Sequence, residues 1–168
     1  MVTVAADVEL ARHAAAQVLD PEVPVLTIAD LGVLRDVVVA DDGAVEVVIT
    51  PTYSGCPAME TISSDVVDAV HAAGFDDVRV RTVLSPAWTT DWMSDDGRRK
   101  LAEYGIAPPA TRPAGPVSLT LGRRPPTPTC PRCGSADVRE LSHFGSTACK
   151  SLWRCTSCQE PFDHFKAI

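Results

Sequence analysis

The chain has no apolar run long enough to cross a membrane. Met1 to Leu10 carries Asp7 and Glu9 but no basic residue, so it does not read as a secretory leader. Aromatic side chains are scarce, 5% of 168 residues, which leaves little material for stacking bases or walling off a redox centre. Positive charge is scarce over most of the length. Residues 1–110 hold 7 Lys and Arg against 18 Asp and Glu, net −11, whereas residues 111–168 hold 8 against 4, net +4. An acidic body excludes a nucleic-acid surface there. The basic tail leaves that option to the C-terminal part alone, through Arg123, Arg124, Arg132 and Arg139. There is no nucleophile–base pair, no phosphate-binding glycine loop and no open metal site, so the chain does not read as an enzyme. The four histidines, His13, His71, His143 and His164, are scattered without ligand spacing and are expected to bind no metal. No internal repeat or low-complexity tract occurs.

Cysteine, by contrast, is present in a pattern. Of six, Cys130, Cys133, Cys155 and Cys158 form two Cys-x-x-Cys pairs separated by 21 residues. Two such knuckles facing each other place four thiolates at the corners of a tetrahedron, the arrangement of structural zinc. A site closed by four sulfurs has no position for a reacting water, so its metal holds a fold together. Iron in a rubredoxin-like site would use the same sulfurs. Zinc is preferred because Gln159 stands where a second knuckle glycine would be, and because aromatics are few. Metal spacing and the absence of an export signal together point to a reducing cytoplasm.

The length allows one ordinary domain and one small one. Val4 to Leu19 has a helical stripe (Val8, Ala11, Ala15, Val18, Leu19) that stops at Asp20-Pro21. Val33 to Ala40 and Val45 to Thr50 are β-rich runs joined by Asp41-Asp42-Gly43, a hairpin signal. Pro57 to Ala73 is a second helix, with Ile62, Val66, Val67 and Val70 inward and Gly74 at its end. Val78 to Leu84 alternates as a strand, and Asp95 to Tyr104 is a short polar helix ending at Gly105. Between Ala107 and Pro128 lie 7 of the 14 prolines, interrupted by strand-like Val117 to Leu121, expected to form an edge strand of the first domain. The fold class is therefore α+β (α/β): a small sheet with helices packed on it in residues 1–121, and a four-Cys zinc ribbon in residues 122–168. A ribbon of that size has too small a core to fold without its metal.

Four places could carry chemistry. Cys56, followed by Pro57, lies at or next to a helix N-cap, where free N–H groups and the helix dipole would stabilise a thiolate. It could attack a substrate, bind a metal or hold a cluster edge; the alternative is a buried, inert thiol. Asp20 and Glu22 place two carboxylates at a turn, as ligands or as a plain solvated cap. Trp88, Trp92 and Met93 form either a docking surface or an apolar lid, the lid being preferred. Cys149, between the knuckles and next to Lys150, is either a strand-packing residue or a reactive thiol.

Several stretches resemble known families. Asp20-Pro21-Glu22-Val23-Pro24, Ile28-x-Asp30-Leu31-Gly32-Val33-Leu34 and Thr50-x-Thr52-x-x-Gly55-Cys56-Pro57 are similar to the iron–sulfur cluster assembly family that includes SufT. Further motifs resemble the PaaD (PaaJ) family, accessory subunits of the phenylacetyl-CoA ring 1,2-epoxidase. They are Pro86-x-Trp88-Thr89-x-Asp91-Trp92, Gly105-Ile106-Ala107-Pro108-Pro109, Phe144-Gly145-Ser146-Thr147-x-Cys149-Lys150 and Pro161-Phe162-x-x-Phe165-Lys166, with the ribbon. The resemblance implies a non-catalytic role in aerobic phenylacetate degradation: maturation of metal or iron–sulfur centres, with transient iron or a cluster as cargo. It implies Cys56 as the functional thiol and Asp20 and Glu22 beside it. The implied partners are the reductase subunit, with its [2Fe–2S] cluster, and the oxygenase subunit. One thiol cannot hold a cluster alone, so a homodimer or a client must complete the ligand set. The competing expectation is a zinc-stabilised docking subunit of the oxygenase complex, with Cys56 structural.

Overall fold

A computed structural model describes residues 4–110 and 127–167. They fall into two compact units, Met1–Gly97 and Arg98–Ile168. The first is built on a three-stranded sheet. Strands β1 (Leu34–Val39) and β2 (Val45–Ile49) form the hairpin that Asp41-Asp42-Gly43 announces. Gly43 takes φ +87, and the Asp42 carboxylate accepts from the Ala44 N–H at 3.1 Å, which closes the turn. Strand β3 (Val78–Thr82) pairs with β2 in parallel, giving the order β1-β2-β3. A parallel neighbour requires a crossover, supplied by helix α2 (Ala58–Ala72).

β2 is the middle strand and is largely buried (Val45, Val47, Val48, Ile49). Helix α1 (Val4–Ala16) packs on β1 and on α2, and α2 packs on β3, so Ala11, Ala15, Ile62, Val66 and Val70 close the core. Each buried Ile or Val contributes about 1.5–3 kcal/mol as an upper estimate. Val67 is only half-buried, at the margin of the helical stripe. The first helix ends earlier than its periodicity suggests. Gln17 and Val18 bond back to the carbonyls of Ala14 and Ala15 in tighter turns, and Leu19 leaves to bridge Thr27, half exposed. The chain leaves the helix because the returning segment takes its carbonyls: the Ile28 N–H bonds the Val18 carbonyl at 2.8 Å.

The second unit is organised by a four-stranded sheet, order β4-β7-β6-β5. Helix α3 (Asp95–Tyr104), which matches its expected bounds and spans the division between units, leads through Gly105 (φ +93) into β4 (Ile106–Ala107). β4 runs parallel to β7 (Pro161–Phe165); β7 pairs antiparallel with β6 (Lys150–Cys155), and β6 with β5 (Val138–Ser142). Its core holds Ala107, Cys130, Cys155 and Phe162, with Val138, Trp153 and Cys158 against them. The fold is thus α+β, with a C-terminal cysteine ribbon. The expected division at 121/122 and the expected strand Val117 to Leu121 lie outside the described residues.

Candidate functional site

Two thiol sites stand out, one in each unit. In the first, Pro57 is the N-cap of α2, so Cys56 lies one residue before it. Gly55 takes φ +90, a region that L side chains rarely adopt, and turns the loop into the helix. The Cys56 N–H bonds the Tyr53 carbonyl at 3.3 Å, a tight turn that folds Tyr53 back toward the sulfur. Asp20 and Glu22 come from the loop after α1. One Asp20 carboxylate oxygen accepts from the Glu22 and Val23 N–H groups, both at 2.8 Å, so Asp20 shapes its own turn while buried.

These groups act on the thiol in opposite directions. Burial pushes the Cys56 thiol above its ordinary value, because a half-buried sulfur loses the water that would solvate its anion. The Ala58 N–H at the helix start pulls the other way, the effect anticipated from the N-cap. The negative charges of Glu22 and Asp20 then push the pKa further up, and the Tyr53 side chain, bonded to the sulfur, lowers it. The net direction is upward, so the resting group is a thiol. Tyr53 was not anticipated as a partner; its place three residues before Cys56 in a glycine-containing turn is the signal that would have found it. Thr50, next to the end of β2, is 1% exposed, and its hydroxyl oxygen has no hydrogen-bond partner among the described residues.

In the second unit, the sulfurs of Cys130, Cys133, Cys155 and Cys158 all lie within 4.8 Å of one another. Cys130 and Cys158 are 3.8 Å apart and Cys133 and Cys155 3.6 Å. A tetrahedron of thiolates about 2.3 Å from a central zinc has edges of about 3.8 Å, so the residues fit the ion. The knuckles impose this spacing. The Gly134 N–H bonds the Cys130 carbonyl at 2.8 Å with Gly134 at φ +73, and Gln159 takes the equivalent left-handed position at φ +66. The Ser135 and Ser157 hydroxyls join the two knuckles at 2.9 Å. N–H groups of Cys158 and Ser157 aimed at the Cys155 sulfur hold its pKa down at about 6. The Ser135 N–H favours the Cys133 thiolate, yet the neighbouring sulfurs push that thiol up to about 12. Four sulfurs this close cannot all ionise without a cation among them, and a zinc ion there would supply that charge and hold the ribbon folded.

The other candidates are less open. Trp88 is 4% exposed and donates its indole N–H to the Leu31 carbonyl at 2.9 Å, so it belongs to the lid and not to a docking surface. Trp92 is half-buried beneath Arg35, whose guanidinium lies 3.5 Å from the ring centroid. Gly32 is required there: a Cβ would stand 2.5 Å from the Trp92 carbonyl oxygen. Cys149 is buried, its sulfur 3.0 Å from the Thr147 hydroxyl, an environment that suits packing better than attack on a solvent-borne reagent. Among the described residues no other group of cysteines, histidines or carboxylates has the ribbon's convergence. No helix of the described residues is long and apolar enough to cross a membrane.

A thiol at the head of a crossover helix, flanked by two carboxylates and followed in the chain by a four-sulfur ribbon, defines an iron–sulfur-assembly type of domain joined to a zinc ribbon. The profile of the iron-sulfur cluster assembly protein family matches residues 11–82, and that of the PaaD zinc beta ribbon domain matches residues 114–166. A protein of Escherichia coli (strain K12), named as a 1,2-phenylacetyl-CoA epoxidase subunit, is 51% identical over 152 residues, covering 90% of this chain and 88% of its own. An Fe-S protein maturation auxiliary factor of Porphyromonas gingivalis is 38% identical over 85 residues, 50% of this chain and 80% of its own. Among solved structures, a Bacillus anthracis domain of unknown function, DUF59, superposes with a TM-score of 0.54 at 26% identity, covering 58% of this chain and 92% of that one. The chain belongs to the PaaD family of phenylacetyl-CoA epoxidase subunits.

Proposed function

We propose that this chain is a non-catalytic maturation factor of the phenylacetyl-CoA epoxidase system, working in the cytoplasm. It passes iron or an iron–sulfur cluster to a client through Cys56, and the reductase subunit is the client best suited to a thiolate-borne cargo. The oxygenase subunit is the second partner. What supports this reading is a thiol placed just before the head of α2, in a stretch that matches the iron-sulfur cluster assembly family, with the charges of Glu22 and Asp20 acting on it. The negative field that disfavours the bare thiolate favours a cation at the same point. Cargo binding then exchanges a proton for a metal: the metal–sulfur bond forms as the S–H proton leaves to solvent. One sulfur and two carboxylates leave ligand positions open, which suits a group that must be handed on. The client, or a second copy of the chain, supplies the remaining ligands. The ribbon zinc is structural and takes no part in transfer.

The test is metal and sulfide analysis with a visible spectrum on protein purified without oxygen, comparing wild type with Cys56→Ala. About one zinc per chain in both, with iron and labile sulfide only in wild type, is the expected result. Iron retained by Cys56→Ala would remove Cys56 from the transfer role. Zinc alone in both, with reductase matured equally by both, would favour a docking subunit with a structural Cys56.

A further inference from the structure

Arg139 on the ribbon's outer strand β5 stands directly opposite Arg154 on β6. Like charges in that position oppose the pairing of their own strands. Among the described residues neither arginine forms an ion pair; the Arg154 guanidinium donates only to the Gln159 carbonyl, at 3.2 Å. Two cations held side by side with no carboxylate of the described residues to neutralise them are matched to an anion from outside. Beside them the same hairpin exposes apolar surface: Leu141 is 46% and Phe144 65% exposed. Phe144 is fixed in place. Its N–H and carbonyl both bond the Ser142 hydroxyl, at 3.3 and 2.8 Å, and the Lys166 ammonium sits 4.5 Å from its ring centroid while donating to the His143 carbonyl. A held, exposed aromatic on the same hairpin as paired arginines has the composition of an interface hot spot. The register shift between Glu140 and Ser142 breaks the regular ladder, so recognition here runs through side chains and not through addition of a strand.

We propose that this patch, Arg139, Arg154, Leu141 and Phe144, is the client-docking surface of the chain, and that it fits a protein presenting an acidic rim around an apolar recess. The proposal rests on the maturation reading above: the ribbon docks the protein that Cys56 supplies. Single-stranded nucleic acid is disfavoured because Trp153, the other large ring of the hairpin, packs against the ribbon core, and because Glu140 lies within the patch.

The test measures binding of the full zinc-loaded chain to the purified reductase subunit and to the purified oxygenase subunit, as a function of salt. Wild type, an Arg139→Glu/Arg154→Glu double variant and Phe144→Ala are compared. Both variants should keep one zinc per chain. The double reversal retains a like-charge pair, so its stability should stay close to wild type. The expected result is binding of wild type to one of the subunits, weakened at least about ten-fold by either variant, with a flatter salt dependence for the double variant. Arg139→Glu alone, which sets opposite charges across the strands, should stabilise the ribbon while weakening binding. A wild type that binds a subunit no better than folded variants do would overturn the docking surface and leave the maturation reading standing. Binding to neither subunit would overturn both. Concentration-dependent self-association, or binding to single-stranded DNA, abolished by the same variants would assign the patch to a different occupant and so reject this one.

Discussion

The two units solve the same problem with different materials. Of the twelve largest fully buried side chains among the described residues, ten lie in Met1–Gly97 and two, Leu101 and Phe165, in the second unit. The first unit is held by a layered apolar core, with helices on a sheet whose middle strand is largely buried. The second is held by four sulfurs around one point, with a small cluster of Ala107, Phe162, Val138 and Trp153 about them. The cysteines follow the same division. The ribbon thiols sit among each other and need a cation; Cys56 sits among carboxylates and keeps its proton. The four-sulfur site and the Cys56 thiol thus lie in separate parts of the chain.

The sharpest way to break the comparison is to remove the metal. A strong chelator at neutral pH, or Cys155→Ser, should unfold the ribbon, a loss on the order of 10 kcal/mol on the scale of zinc-dependent folds. Amide signals of Val138–Phe165 should collapse in heteronuclear spectra while those of Leu34–Thr82 stay dispersed. Collapse of both sets would show that the first unit depends on the second. Acid should act as chelator does, since thiolates regain protons and metal affinity falls as pH falls.

The reverse experiment is Ile62→Ala, which empties a buried site on α2. It should cost about 3 kcal/mol in thermal or urea unfolding of the first unit, with zinc content unchanged. Next in size is Glu22→Gln. With one negative charge removed, the Cys56 pKa falls and the thiolate fraction at neutral pH rises, so iodoacetamide should label Cys56 roughly two- to five-fold faster. An unchanged or slower rate would mean that Glu22 does not act on the sulfur. The smallest effect belongs to Arg12–Asp36, a surface pair at 2.7 Å tying α1 to β1. The Arg12 side chain bonded to Asp36 holds that carboxyl below its ordinary range. Its contribution is therefore present above the unfolded value and lost as pH falls through the lowered folded one. Asp36→Asn should cost about 0.5 kcal/mol at neutral pH and nothing in strong acid, read from urea midpoints at both.

Much of this was legible in the chain because the signals were local. Asp41-Asp42-Gly43 fixed a hairpin, Pro57 a helix start, Gly105 a helix end, and two Cys-x-x-Cys pairs a metal site. The failures share a cause, which is that the deciding partner is distant in sequence. Leu19 belongs to a helical stripe, but Thr27 draws it out. The helix start of Cys56 is visible in the sequence; the burial that raises its pKa, and the carboxylates that add to it from a loop more than thirty residues earlier, are not. Parallel pairing of β2 with β3 was likewise hidden, since alternation along a strand says nothing about direction.

One consequence concerns motion. Cys56 lies between Gly55, at φ +90 with open space where a side chain would be, and Pro57, whose ring fixes its own backbone angle. Any displacement of the sulfur that leaves α2 in place must therefore be taken up on the Gly55 side. The thiol is mounted like a latch, rigid toward the helix and free toward the loop. Gly55→Ala would stiffen that free side, so on the maturation reading proposed above it should slow exchange of the cargo before it changes how tightly the sulfur holds it.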